Sequence, residues 1–183
     1  CAGGARIECR LKVNSIDSEG AVMGIKVHGL AGGHSGVEIH KGRANANMIM
    51  ARILAGLAKH VPYHLASYHG GRKDNAIPRE SEVLLCLPQK DLEQAEKVLH
   101  KMQQDLSNEY AVTDKNIKLS VITDQSNIPF RMLDEDSTRK AVLLVNALPN
   151  GVQTMSADVE GLVETSLNLG VLELNYQEMT LSY

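Results

Sequence analysis

The chain has 183 residues, of which 43% are hydrophobic and only 3% aromatic, with no Trp and one Phe. That is enough apolar content for a real core in one large domain or two small ones, and Leu, Ile, Val, Met and Ala must fill it. A net charge of −3 with both signs interspersed argues against a nucleic-acid partner, and no apolar run approaches the roughly 18 residues of a membrane span.

Residues 6–13 alternate strictly, with Ile7, Cys9, Leu11 and Val13 on one face and Arg6, Glu8, Arg10 and Lys12 on the other. That pattern predicts a half-buried strand over about 5–14. The Asp17-Ser18-Glu19-Gly20 turn leads into a second strand at 21–29. A helix is expected over 44–59, with Ile49, Ile53 and Leu57 on one stripe. Strands follow near 64–70 and 82–87. Between 91 and 110, Leu92, Ala95, Leu99, Met102 and Leu106 recur at steps of three and four, which predicts a second helix. Asp91 is placed to cap it, with Gln94 completing a capping-box-like pair. Ile117, Leu119 and Val121 mark another strand.

From 20 to 124 the order is βαββαβ, so the fold class is α+β: a ferredoxin-like antiparallel sheet with both helices on one face. Residues 125–135 read as a polar connector, 137–147 as a helix closed by Pro149-Asn150-Gly151, and 163–174 and 178–183 as strands. Residues 125–183 are thus expected to begin a second, similar half that is incomplete. The first strand fits either half.

The run Gly32-Gly33-His34-Ser35-Gly36 stands where the chain leaves the second strand. Glycines on both sides of a histidine let backbone come close to a ligand, and loops on a rigid scaffold are where binding side chains concentrate. Asp74-Asn75-Ala76-Ile77-Pro78 is the second such segment, preceded by Gly70-Gly71. By itself Asn75 also suits an Asx-type turn before Ile77-Pro78.

These segments, with Lys41-Gly42-Arg43-Ala44-Asn45-Ala46-Asn47 and the stretch from Leu148 to Gly170, resemble the lid domain of aminoacyl-histidine dipeptidases (Xaa-His dipeptidases, peptidase D). These belong to the di-zinc aminoacylase and carboxypeptidase superfamily. The resemblance runs from Cys1 to Tyr183. It implies a cytoplasmic hydrolase acting on Xaa-His and other unblocked dipeptides. In it His34 would be the catalytic donor to the tetrahedral intermediate and Asn75 a ligand of the dipeptide substrate. It also implies a homodimer formed through the lid, and two zinc ions held by a catalytic domain of the same parent chain.

That catalytic domain is not recognisable here. None of the seven histidines opens a His-x-Asp pattern, no two Glu are adjacent, and Cys1, Cys9 and Cys86 lack Cys-x-x-Cys spacing. No metal ligand is therefore assigned. His60, His64 and His69 read as solvated side chains, and His28 and His40 as surface or packing residues. Arg43 and Arg72 are secondary candidates for a substrate carboxylate.

Three unpaired cysteines suit a reducing cytoplasm. Cys1 is no initiator residue, no charged-plus-apolar leader is visible, and Met179–Tyr183 alternates like an unfinished strand. The chain thus reads as an excised lid, expected to leave Leu167, Leu169, Met179 and Leu181 exposed and to self-associate. The alternatives are a ferredoxin-like module that binds a small molecule, or a purely structural oligomerisation domain. The enzyme reading requires His34 and Asn75 to converge on one open concavity.

Overall fold

The computed structural model describes residues 3–124 and 129–183. Thirteen strands and three α-helices follow one another among them. In chain order they are β1 (Glu8–Lys12), β2 (Ser15–Ser18), β3 (Ala21–His28), β4 (Gly33–His34), α1 (Ala46–Leu57), β5 (His64–Gly70), β6 (Ala76–Ile77) and β7 (Ser81–Leu87). Then come α2 (Leu92–Glu109), β8 (Lys118–Asp124), β9 (Phe130–Leu133), α3 (Glu135–Ala147), β10 (Gly151–Met155), β11 (Val163–Leu167), β12 (Val171–Leu174) and β13 (Glu178–Ser182).

Seven strands form one sheet in the order β1-β13-β12-β5-β7-β3-β8, with antiparallel neighbours throughout. Within it, β3, β5, β7 and β8 with α1 and α2 make the βαββαβ unit, in the interleaved strand order of a ferredoxin-like sheet. The core lies on the helix side. β3 turns Met23, Ile25 and Val27 inward, and α1 meets them with Ile49, Met50, Ile53, Leu54 and Leu57, all nearly or fully buried. Each such Leu or Ile contributes about 2 kcal/mol through burial. The opposite face is largely open. The β2–β9 ribbon crosses it, where Met132 and Phe130 pack on Ala66 and Cys86.

Several expectations need correction. The first strand is two, β1 in the main sheet and β2 in a ribbon with β9, because the chain leaves the sheet near Val13. The ambiguity over its placement ends at β13, its one neighbour in the sheet among the described residues. β13 is inserted between β1 and β12, so Met179 and Leu181 are fully buried rather than exposed, as is Leu169. Strands β12 and β13 lie in the same sheet as the βαββαβ unit. The stretch 163–174 breaks at Asn168–Gly170, where the chain passes from the β10–β11 hairpin into β12. Asp91 caps nothing with its side chain, since a 3-10 turn over Gln89–Asp91 precedes α2. Residues 125–128 of the expected connector, like Cys1, lie outside the described residues; Phe130–Leu133 is a strand.

Candidate functional site

His34 sits in a two-residue strand, and β4 pairs with β6 so that His34 faces Ala76 and Gly33 faces Ile77. The Ser35 N–H donates to the Asn75 carbonyl at 3.0 Å, which places Asn75 directly beside the His34 segment. Both side chains are exposed. The structure therefore brings the two candidates together on one ribbon at the end of β3 and β5. Neither side chain lines either of two neighbouring cavities, one of about 590 Å³ lined by Lys26, His69, Arg72 and Glu80 and another of about 320 Å³ lined by Arg43, Asn45 and Tyr110.

The imidazole is held by its own loop. The Gly36 N–H donates to His34 Nδ1 at 2.9 Å. Nδ1 is thereby an acceptor, so in the neutral ring the proton resides on Nε2, which is left to donate outward. Gly36 also makes the room, because a Cβ there would lie 3.1 Å from His34 Cε1. Gly33 is required more strictly. Its φ of +144° is one that L side chains rarely adopt, and a Cβ would meet Arg43 Nη1 at 2.5 Å and Glu38 Oε2 at 2.7 Å.

Glu38 closes the loop from the other side. Its carboxylate takes the Lys41 ammonium at 2.7 Å, the His34 N–H at 3.0 Å and Arg43 Nη1 at 3.2 Å. Lys41 first, then the His34 N–H, hold this carboxyl down at about 2, against an ordinary 4.5. Arg43 also donates to the Gly32 carbonyl. It is thus engaged in shaping the loop, while Arg72 stays exposed in the first cavity.

Beneath the ribbon lies a buried polar framework. Asp114, 2% exposed, accepts the Ala31 N–H on one oxygen and the Ala44 N–H on the other, both at 2.8 Å, clasping the two ends of the His34 loop. Asn168 donates to the carbonyls of Asp74 and Ala76, at 3.0 and 2.9 Å, so its amide brackets Asn75. Asn45 caps α1, accepting the N–H groups of Asn47 and Met48, and donates to Asn150, Asn168 and Leu169. Neither Asp114 nor Asn168 was singled out from the sequence. Asn168 did lie inside a quoted segment, and a polar residue between Leu167 and Leu169 was the available signal.

The remaining histidines do not gather. His28 bonds Ser120 and His64 bonds the Leu133 carbonyl. Among the described residues no three His, Cys, Asp or Glu side chains form a group fit for a metal ion.

Fold and site together define an antiparallel α+β domain that presents a histidine and an asparagine on a pinned ribbon. Residues 25–114 match the family model of the peptidase dimerisation domain. The chain is 36% identical over 182 residues to the cytosol non-specific dipeptidase of Escherichia coli strain K12, covering 95% of this chain and 36% of that protein. It is similar in structure to the aminoacylhistidine dipeptidase of Vibrio alginolyticus, with a TM-score of 0.86 and 29% identity. That match covers 96% of this chain and 36% of that one, so the chain spans about a third of the length of both relatives.

Proposed function

We propose that this chain is the lid and dimerisation domain of a cytoplasmic di-zinc dipeptidase acting on Xaa-His and other unblocked dipeptides. The observation that carries the reading is the Gly36 N–H bond to His34 Nδ1, which leaves Nε2–H as an exposed donor. Attack on a peptide carbonyl builds negative charge on its oxygen, and a donor already oriented toward that oxygen lowers the barrier without reorganising. His34 is the donor in this reading. The Asn75 amide, whose backbone Asn168 brackets, holds the substrate in the ground state as well. The zinc ions would supply the activated water of such a hydrolase; since the described residues offer no metal group, they belong to another part of the parent. The names of the two relatives support the substrate class and the cytosolic location, and the family description supports assembly of two copies.

Steady-state kinetics of the full-length parent test this. His34→Ala should lower kcat by roughly 10²–10³-fold with little change in KM, since the bond forms mainly in the transition state. Asn75→Ala should raise KM by about tenfold, the worth of one hydrogen bond to the bound ground state. An unchanged kcat for His34→Ala would remove the catalytic role.

A further inference from the structure

The smaller cavity, of about 320 Å³, takes no part in the reading above. It opens between the turn that follows His34, the first turns of α1 and the base of the β10–β11 hairpin. Its size is that of a small-ligand pocket, about 300–1,000 Å³. Ile39, Ile49 and Ile77, each 8% exposed or less, give it an apolar lining.

The polar lining is one-sided. It comes from His40, Arg43, Asn45, Arg52, Tyr110 and Asn150, and no Asp or Glu among the described residues contributes to it. The carboxylates close by are already matched. Glu38 takes Lys41 and Arg43, Glu109 takes Arg52 in a two-pronged pair, and Asp114 takes the Ala31 and Ala44 N–H groups.

Three side chains of this lining keep donors that have no partner among the described residues. Asn150 turns Oδ1 to the Leu169 N–H at 2.9 Å and to Asn45 Nδ2 at 3.2 Å, which leaves its own amide N–H groups free. His40 makes no bond at either ring nitrogen. Arg43 engages only Nη1, with the Gly32 carbonyl and Glu38. Its Nε–H and Nη2–H remain, and these two lie side by side on one edge of the guanidinium, the edge that grips a carboxylate with both oxygens. The Arg43 side chain is only 22% exposed, so an anion meeting it is less screened than in bulk water.

We infer that this cavity binds a small aliphatic monocarboxylate that carries no amino group beside its carboxyl. The free edge of Arg43 holds the carboxylate, Asn150 and His40 supply further donors, and the chain lies along Ile39, Ile49 and Ile77. An ammonium finds no carboxylate here to receive it, so a free amino acid is disfavoured. The occupant therefore differs in kind from an unblocked dipeptide, and the inference does not depend on the dipeptidase reading. Binding also has a structural consequence. Arg43 holds the His34 loop and Asn150 the hairpin base, so one ligand ties these two parts together.

Titration of the 183-residue chain with 4-methylpentanoate, followed by nitrogen-resolved NMR, tests this. Saturable shifts are expected at Arg43 Nε–H and the Asn150 side-chain amide, with a dissociation constant of about a millimolar or below. 4-Methylpentanamide, which has the same body without the charge, and leucine, which adds the ammonium, should each bind about tenfold more weakly or worse. Arg43→Gln should abolish binding but also frees the Gly32 carbonyl. Val152→Asp, at an exposed position of the lining, is the second variant: with circular dichroism unchanged it should weaken binding about tenfold through repulsion. Equal binding of the amide or of leucine overturns the ligand class. Shifts confined to Arg72 and Lys73 of the larger cavity, an unaffected Val152→Asp, or no saturable shift at all overturns the site.

Discussion

Of the three short antiparallel ribbons that stand outside the main sheet among the described residues, β4–β6 and β10–β11 are held in opposite ways. β4–β6 has two residues per strand, yet side chains from outside the ribbon fasten it, two of them buried. Asp114 grips Ala31 and Ala44, Arg79 donates to the Leu30 carbonyl, and Asn168 donates on both sides of Asn75. β10–β11 has five residues per strand, but beyond its base at Asn150 it bonds mainly to itself, through the Ser156 N–H to the Leu162 carbonyl and between Thr154 and Thr165. Its Met155, Val159 and Leu162 stay about half exposed. Ladder length does not place a side chain. Buried polar anchors do, because leaving one unpaired is costly.

The comparison breaks first at Asp114. Asp114→Ala strands the buried Ala44 N–H and the part-buried Ala31 N–H, which predicts a loss of roughly 2–4 kcal/mol in urea unfolding. Asn168→Ala frees the Asp74 and Ala76 carbonyls and should cost ~1–3 kcal/mol. It should also speed hydrogen exchange at the Ser35 amide, whose acceptor is the Asn75 carbonyl. If Ser35 exchanges at its native rate in the Asn168 variant, the ribbon does not depend on the amide beneath it.

Acid sharpens the same contrast, with a smaller effect. Glu38 titrates near 2 in the folded chain against an ordinary 4.5, chiefly through Lys41 and the His34 N–H. A depressed carboxyl stabilises the fold above its unfolded value, and that contribution fades as pH falls from 4.5 toward 2. Glu38→Gln should therefore lower the urea midpoint at neutral pH and converge with the native chain at the acid end. A gap that persists at pH 2 would mean that Glu38 acts through shape rather than charge.

How much of this was legible beforehand follows from what periodicity can carry. The alternation of β3 and the stripes of α1 and α2 are local, and they led to the βαββαβ unit. The Gly-Gly-His-Ser-Gly and Asp-Asn-Ala-Ile-Pro segments marked the ribbon, though not that its two strands would pair. Asp114 was invisible because its partners lie 83 and 70 residues away and Thr113-Asp114-Lys115-Asn116 reads as an ordinary turn. β13 was misjudged for a related reason. A buried strand and an exposed one share the alternation of Met179 and Leu181, and only the pairing of β1 with β13 decides between them.

The smallest effect belongs to the hairpin. Replacing Met155 and Leu162 together by Ser removes apolar surface that already meets water, so stability should change by less than about 0.5 kcal/mol. The ring nitrogens of His34 should keep their NMR shifts, since the bond from Gly36 to Nδ1 owes nothing to β10 or β11. The base of the hairpin is a different matter. Asn150 accepts both the Leu169 N–H and the Asn45 amide, so Asn150→Ala should disturb the framework that Asn168 shares. A tip variant as damaging as the Asn150 variant would show that the hairpin is packed against something in solution. The contrast between an anchored and a free ribbon would then fail.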